Sequence, residues 1–359
     1  MIPIWGFAVI FLYTMRRINC SHCERICVET VPWSVGGKSR LTTAFAHHLA
    51  GWARHLSWTE VGKRCGACWD TVAQSVEWIV AFGLKGRCLD DITAIGVDEI
   101  QYHKGHNYLT LVYQINAGSR RLLWIGKERT KKSFRQFFDK LGKERSHKIQ
   151  FVCSDMWKAY LAVIAERAPN ALNILDRFHI VQKLTEAVDQ TRRDEMRKLK
   201  EKGKPAHLKG NRWILLKRKE NLKGSQRTTM RSLLTMNLTT VKAYLFKESF
   251  DRFWQYVNPK CAADFLDDWC RQVMRHRSLP HLKKTVKTLR GHRKLILNYF
   301  RAKRSGQGSF SSGVVEGLNN KVKTCIRKSY GFRTDKYREI ALYHALGALP
   351  EPEATHRFT

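Results

Sequence analysis

From position 41 to 52 apolar and aromatic residues recur at steps of three and four, with Leu41, Phe45, His48, Leu49 and Trp52 on one side, which is the period of a helix with a buried stripe. The spacing then predicts a short helix over 58–64, a turn at Cys65-Gly66-Ala67 and a further helix over 69–80, whose Val72, Val76 and Ile79 share a face. Two helices joined by a glycine-containing turn have the layout of a helix-turn-helix, in which the second helix enters the DNA major groove. Thr71, Gln74 and Ser75 are the side chains that helix would offer to DNA. Asp70 and Glu77 on the same helix argue against it, and similar helix pairs occur in proteins that never touch DNA.

From position 91 the pattern changes to short apolar runs separated by turns, the mark of strands. Strands are expected over 94–100, 108–115 and 122–125. A helix marked by Phe134, Phe137, Phe138 and Leu141 follows, then a strand over 149–153, a helix around Tyr160, Leu161 and Ile164, and a strand over 172–175. Three strands in succession predict an antiparallel meander, and the later alternation with helices predicts a mixed sheet with helices on its faces. This is the order of an RNase H-like domain. Beyond Arg177 the strands stop and the chain reads as helix upon helix as far as Arg304, with a basic stretch over 192–231. A flexible connection over 304–309 leads to a last helix that starts near Ser312 or Gly313 and runs past Glu316.

Charge narrows the partners. The 359 residues carry 65 lysines and arginines against 31 acids, a net charge of +34. A field of that size gathers polyanions, and nucleic acid is favoured over a membrane surface. The apolar run over 1–13, followed by Arg16 and Arg17, is too short to span a bilayer. Its charge lies on the wrong side for a secretory signal, so the expectation is a buried strand or hairpin that has lost its usual neighbour. Ten cysteines without an export signal do not read as a disulfide framework, which points to a reducing cytoplasm.

Three acids stand where a structural role is hard to supply: Asp98 in an apolar strand, Asp155 just after another, and Glu316 near a helix start. In an RNase H-like sheet the first and fourth strands are neighbours, which brings Asp98 and Asp155 together, and a helix can add the third. Converging carboxylates repel one another unless a cation fills the space, and magnesium suits oxygen ligands. Two such ions could activate a water or a 3′-hydroxyl on one side of a phosphodiester and stabilise the leaving oxygen on the other. Glu99 is the rival of Asp98. Side chains alternate along a strand, so only one of the two can point at the site.

Gly96-Val97-Asp98-Glu99, the run from Lys104 to Thr110, Ser154-Asp155-Met156-Trp157, Asp176-Arg177-Phe178-His179 and Val315-Glu316-Gly317-Leu318-Asn319-Asn320-Lys321 together resemble the DDE transposases of bacterial insertion sequences, closest to the ISL-three group. The resemblance covers nearly the whole chain. It implies that Asp98, Asp155 and Glu316 are the DDE triad, holding two Mg2+ or Mn2+ ions and cutting and joining DNA at the terminal inverted repeats of an element and at its target. The long gap before Glu316 then requires a helical insertion in the catalytic domain, whose basic helices would contact transposon-end or target DNA. Related enzymes carry a similar Asp-x-x-His element, so His179 would touch the scissile phosphate or a nearby base; in the plainer alternative Asp176 caps a helix and His179 packs. Glu316, Asn319, Asn320 and Lys323 lie three, four and seven apart on one helix face, so Asn320 and Lys323 would face the same DNA, while Leu318 and Val322 pack inward. Pairing two element ends implies a homodimer or a larger assembly.

Cys20-Ser21-His22-Cys23 has the spacing of a zinc knuckle, but structural zinc needs four ligands and a second pair is missing, with Cys27 and His22 as weak substitutes. Members of the family generally carry an earlier cysteine pair, so the expectation is a start that has lost half of a zinc ribbon. Cys65 and Cys68 straddle the helix pair's turn and are expected to pack. The resulting layout is a zinc-ribbon remnant over 1–36, a helix-turn-helix region over 37–90, an RNase H-like domain over 91–180 resumed over 305–359, and a basic helical insertion over 181–304. Two other readings remain open: a non-catalytic DNA-binding relic, and an RNase H-like nuclease without strand transfer.

Overall fold

The computed structural model describes the chain apart from positions 1, 5, 6, 11, 23, 30, 32, 36–40, 103, 104, 106, 204–207, 237, 305–311 and 354–359. Two small antiparallel hairpins come first, β1 (Ile2–Ile4) with β2 (Phe7–Val9) and β3 (Arg17–Asn19) with β4 (Ile26–Val28). The first turns part of the apolar opening segment into a hairpin, but the described side chains that follow it, Ile10, Leu12 and Tyr13, are exposed and not buried as expected. Cys20 lies in the turn of the second, and Cys23 falls outside the described residues.

Three helices follow, α1 (Thr43–Ala53), α2 (Trp58–Cys65) and α3 (Trp69–Gly86). Thr42 and Ser57 cap the first two, each side-chain oxygen accepting from a backbone amide three residues on. Gly66 ends α2 in the left-handed conformation at φ 62°, which favours a residue without Cβ. Gly62 is fixed by closeness instead: a Cβ there would stand 2.5 Å from the carbonyl oxygen of Ala67.

The central sheet contains β5 (Ala94–Gln101), β6 (Tyr108–Asn116), β7 (Ser119–Lys127), β8 (Phe151–Ser154) and β9 (Leu172–Leu175), in the spatial order β7-β6-β5-β8-β9. β5, β6 and β7 form the antiparallel meander, and β8 and β9 add in parallel. β7 extends beyond the apolar 122–125 run because Arg121 bonds the side chain of Gln114 on β6, so polar residues continue the ladder. Both faces are covered, and β5 accordingly opens with the apolar run Ala94-Ile95-Gly96-Val97 before its two acids. On one face Ile95, Val97, Val112 and Val152 pack against α4 (Lys131–Leu141) and α6 (Lys158–Arg167) through Phe134, Phe137, Phe138, Tyr160 and Ile164; α5 (Lys143–His147) links these helices. On the other face Ala94, Ile100, Leu111, Tyr113 and Ile115 share a core with α1, α2 and α3 and with α14 (Ser312–Lys328) and α15 (Asp335–Leu346).

The three N-terminal helices are therefore built onto the sheet domain. Lys328 at the end of α14 donates to the carbonyls of Ala53 and Arg54 at the end of α1, at 3.0 and 2.8 Å. Asp70 and Glu77, the acids on α3, pair with Arg333 and Lys336 at 3.2 and 2.5 Å.

Between β9 and α14 the chain is helical among the described residues: α7 (Arg177–Glu201), α8 (Arg212–Leu216), α9 (Ser225–Thr235), α10 (Thr239–Phe250), α11 (Pro259–Arg275), α12 (Pro280–Gly291) and α13 (Arg293–Arg304). Their core is rich in aromatic residues, with Phe250, Phe253, Trp254, Trp269 and Phe300 in mutual contact. Glu195 of α7 caps α10 by accepting from the amides of Thr239 and Thr240 at 2.7 Å, a carboxylate at a positive helix end. The expected insertion boundary at 180 falls inside a helix, and at the other boundary positions 305–311 lie outside the described residues. α7 runs continuously across position 180, and Asn298 of α13 donates to the backbone carbonyl of Asn173 on β9 at 2.7 Å.

Candidate active site at the carboxyl ends of the strands

The parallel register fixes the centre of the site. Gly96 pairs with Cys153, so one residue pair beyond Val97 and Ser154 brings the chain to Asp98 and Asp155. Ser154 pairs with Leu175, and the next residues are Asp155 and Asp176. Three acids thus stand level with one another, Asp98 within β5 just past its parallel pairing with β8, and Asp155 and Asp176 directly after β8 and β9, the edge at which open α/β sheets place their ligands.

Asp98 lies on the face covered by α14. One carboxylate oxygen accepts from the backbone amide of Glu99 at 2.8 Å, the other from Asn319 Nδ2 at 2.6 Å. Asn319 is itself held by Tyr113, whose hydroxyl donates to its Oδ1 at 2.7 Å. α14 can lie this close because Gly96 offers no Cβ, which would stand 2.5 Å from Val315 Cγ2. Burial pushes the Asp98 carboxyl above its ordinary range, with the nearby Asp155 charge adding to the effect, against the Glu99 amide, His179 and Asn319.

Glu99 lies on the opposite face, as strand alternation requires. Burial first and the Asp155 charge second push its carboxyl up to about 7. It forms an ion pair with Arg129 Nε, and Arg129 Nη2 reaches Asp155 Oδ2 at 3.2 Å. The remaining Asp155 oxygen accepts from the Trp157 amide at 2.8 Å. Although Glu99 and Asp98 point to opposite faces, both are electrostatically coupled to Asp155.

Glu316 is exposed on α14, three residues before Asn319, which is 6% exposed. Asn320 and Lys323 are exposed on the same helix while Leu318 and Val322 are buried, as the helical spacing predicts. Asp176 caps α7, accepting from the Phe178 amide at 2.7 Å. That cap does not leave His179 packed away: its Nε2 stands 4.0 Å from Asp98 and 3.9 Å from Asp176. The helix cap of the plainer alternative is present, while His179 itself stands beside the acids.

Among the described residues no three His, Cys, Asp or Glu side chains are gathered as a ready metal-ligand set. The donor chemistry still fits a hard divalent ion. Asp98 and Asp155 are oxygen donors on neighbouring strands. Among the described residues, the side chain that could pair with Asp98 is the His179 imidazole at 4.0 Å, which leaves the carboxylate open to a hard ion.

The other sequence-derived positions divide. Gln74 is exposed on α3 and Thr71 is half-buried, its hydroxyl 3.1 Å from Cys68 Sγ. Ser75 is a correction: it is 1% exposed, and its hydroxyl donates to the Thr71 carbonyl at 2.8 Å, so it cannot face DNA. A hydroxyl that bonds back one turn can be buried without an orphaned polar atom. Cys65 packs as expected, whereas Cys68 is exposed at the start of α3.

Arg129 is a site residue the sequence did not single out, and Asn319, placed only on the Glu316 face, is instead buried and bonded to Asp98. Arg129 lies in a loop without motif or period, and the face shared by Asn319 and Glu316 was the one available signal for the latter. A cleft of about 760 Å³ opens beside Phe178 between α7, α8 and α12, lined in part by Lys183, Arg193, Arg212 and Lys284. Asp189 at its wall pairs with Arg192 and Arg193 at 2.8 Å and with Arg212 at 3.4 Å, fixing guanidinium groups along it. No described helix is long and apolar enough to cross a membrane.

The family of ISL3-type DDE proteins, described as transposase, matches residues 95–341. The chain is 28% identical over 339 residues to the transposase for insertion sequence element IS1001 of Bordetella parapertussis, covering 94% of this chain and 81% of that protein. It is 29% identical over 356 residues to the transposase for insertion sequence element IS1557 of Mycobacterium tuberculosis, covering 92% and 77%.

Proposed function

Because the chain belongs to the ISL3-type DDE transposase family, we propose that it cuts and joins DNA at insertion-sequence ends by metal-dependent phosphoryl transfer on an RNase H-like domain. The observation that carries this reading is the alignment of Asp98 and Asp155 at adjacent strand ends, with α14 laid against Asp98 through Asn319. Asp98, Asp155 and Glu316 are the acids that would hold Mg2+ or Mn2+. Such ions supply Lewis-acid polarisation of the phosphodiester and an activated attacking oxygen. Asn319 orients Asp98, and His179 stands where it can donate to a phosphate oxygen beside the acids.

The basic cleft along α7 and exposed Asn320 and Lys323 on α14 are proposed to hold the DNA backbone, largely through counterion release. Gln74, with Thr71 partly covered, is the side chain of the α2–α3 helix-turn-helix offered to the terminal repeats. The two acids that weighed against this reading are neutralised by Arg333 and Lys336, which supports it. Work on two element ends implies a homodimer or larger synaptic assembly in the cytoplasm. A zinc site at Cys20 and Cys23 would need ligands beyond this pair.

The test is an assay of purified chain with labelled element ends and target DNA in Mg2+ or Mn2+. Joined product is expected; cleavage alone would make it a nuclease, and binding alone a relic. Asp98→Asn, Asp155→Asn and Glu316→Gln should each abolish cleavage and leave DNA binding nearly unchanged in a filter-binding assay. Equal loss of both would mark these acids as structural.

A further inference from the structure

Arg129 holds a position that its place in the chain does not explain. It follows β7 in a loop, yet its guanidinium lies between two largely buried acids, in an ion pair with Glu99 through Nε and 3.2 Å from Asp155 through Nη2. The same group lies over the Trp157 ring, 4.5 Å from its centroid. Trp157 is the residue whose amide holds the other oxygen of Asp155, so one short segment seats both partners. The side chain is nonetheless 36% exposed, open to solvent on its outer side.

Asp98, Glu99 and Asp155 are electrostatically coupled, and the described basic groups within ion-pair distance of them are the Arg129 guanidinium and the His179 imidazole, of which only the guanidinium is permanently charged. That leaves the edge short of positive charge. A divalent ion that used Asp155 as a ligand would compete with Arg129 for the same carboxylate oxygen. Glu99 and Trp157 offer the displaced guanidinium a seat that does not include Asp155.

We propose that Arg129 is the resident counter-ion of this site, occupying Asp155 until a divalent cation takes the carboxylate, and then turning its freed N–H groups outward to a DNA phosphate while Glu99 and Trp157 retain it. The inference rests on the reading of Asp155 as a metal ligand. Arg129 is a positioning residue in the ion-free protein, and the exchange gives DNA a cationic contact only once the site is loaded. Its guanidinium fork suits both partners, since carboxylate and phosphate accept the same paired donors.

The test needs no catalysis. Mn2+ is titrated into the full chain without DNA and followed by electron paramagnetic resonance, with thermal unfolding measured in parallel. Arg129→Gln should bind Mn2+ at least tenfold more tightly than the parent, because the internal competitor is gone. Its melting temperature should be lower without divalent ions and should rise more on adding Mn2+. If Arg129→Gln does not fold, Arg129→Lys keeps the charge but loses the fork and should show a smaller gain in the same direction. Equal Mn2+ affinity in parent and variant, with binding that Asp155→Asn abolishes, would overturn the exchange and leave the metal site standing. Binding unaffected by Asp155→Asn would instead remove the premise.

Discussion

The two faces of the central sheet are covered in different ways. One is closed by α4 and α6, which come from the chain between β7 and β9 and fill it with Phe134, Phe137, Phe138 and Tyr160. The other is closed by helices from both ends of the chain, α1 to α3 and α14 to α15. β5 carries an acid toward each. Glu99 meets a partner from the nearby loop, Arg129, whereas Asp98 meets Asn319 from far along the chain. The local face is filled by segments that lie close together along the chain. The face closed by distant helices is the one where Asp98 meets α14, since without that helix its carboxylate loses Asn319.

This contrast can be broken by substitutions on opposite faces. Phe134 is fully buried on the local face, and Phe134→Ala should destabilise the protein by about 3–5 kcal/mol in urea unfolding, with cleavage per folded molecule retained. Gly96→Val on the other face should cost less, about 1–3 kcal/mol, because Val315 stands where the new side chain must go. It should nevertheless remove cleavage by lifting α14 from Asp98; full activity in that variant would refute the division. The third effect concerns pH; it is negligible at neutrality and grows only on acidification. His344 on α15 is held neutral, its pKa lowered to about 3 by burial first and then by Arg54 and Lys328. Its stabilisation is complete above the ordinary histidine value and is lost as pH falls, because the unfolded chain takes the proton first. Between pH 6.5 and about 3 the loss should approach ~1.4 kcal/mol per unit, and His344→Leu should flatten that slope in pH-dependent unfolding.

Much of this was legible in the sequence where the signal was local. The five strands of the sheet, the α2–α3 pair and the neighbouring placement of Asp98 and Asp155 follow from periodicity, turn residues and strand order. Ser75 was misplaced because a small polar residue reads as outward. In fact it sits beside Val72 and Val76, with its hydroxyl satisfied by the preceding turn. Arg129 and Asn319 gave little sign because their roles depend on what stands opposite them, and no spacing along one segment records that. The insertion boundaries were obscure for a related reason. α7 and α13 each belong to the sheet and to the helical core at once, so composition does not change where the function does.

α7 begins at the Asp176 cap, beside the acids, and extends 25 residues without interruption into the helical core, a rod of about 37 Å at the ordinary rise per residue. A strut of that kind has no hinge among its own residues. Whatever grips its far portion therefore pulls directly on the end of β9, so tension in a captured duplex would arrive at His179 and Asp98 as displacement, with little slack to absorb it.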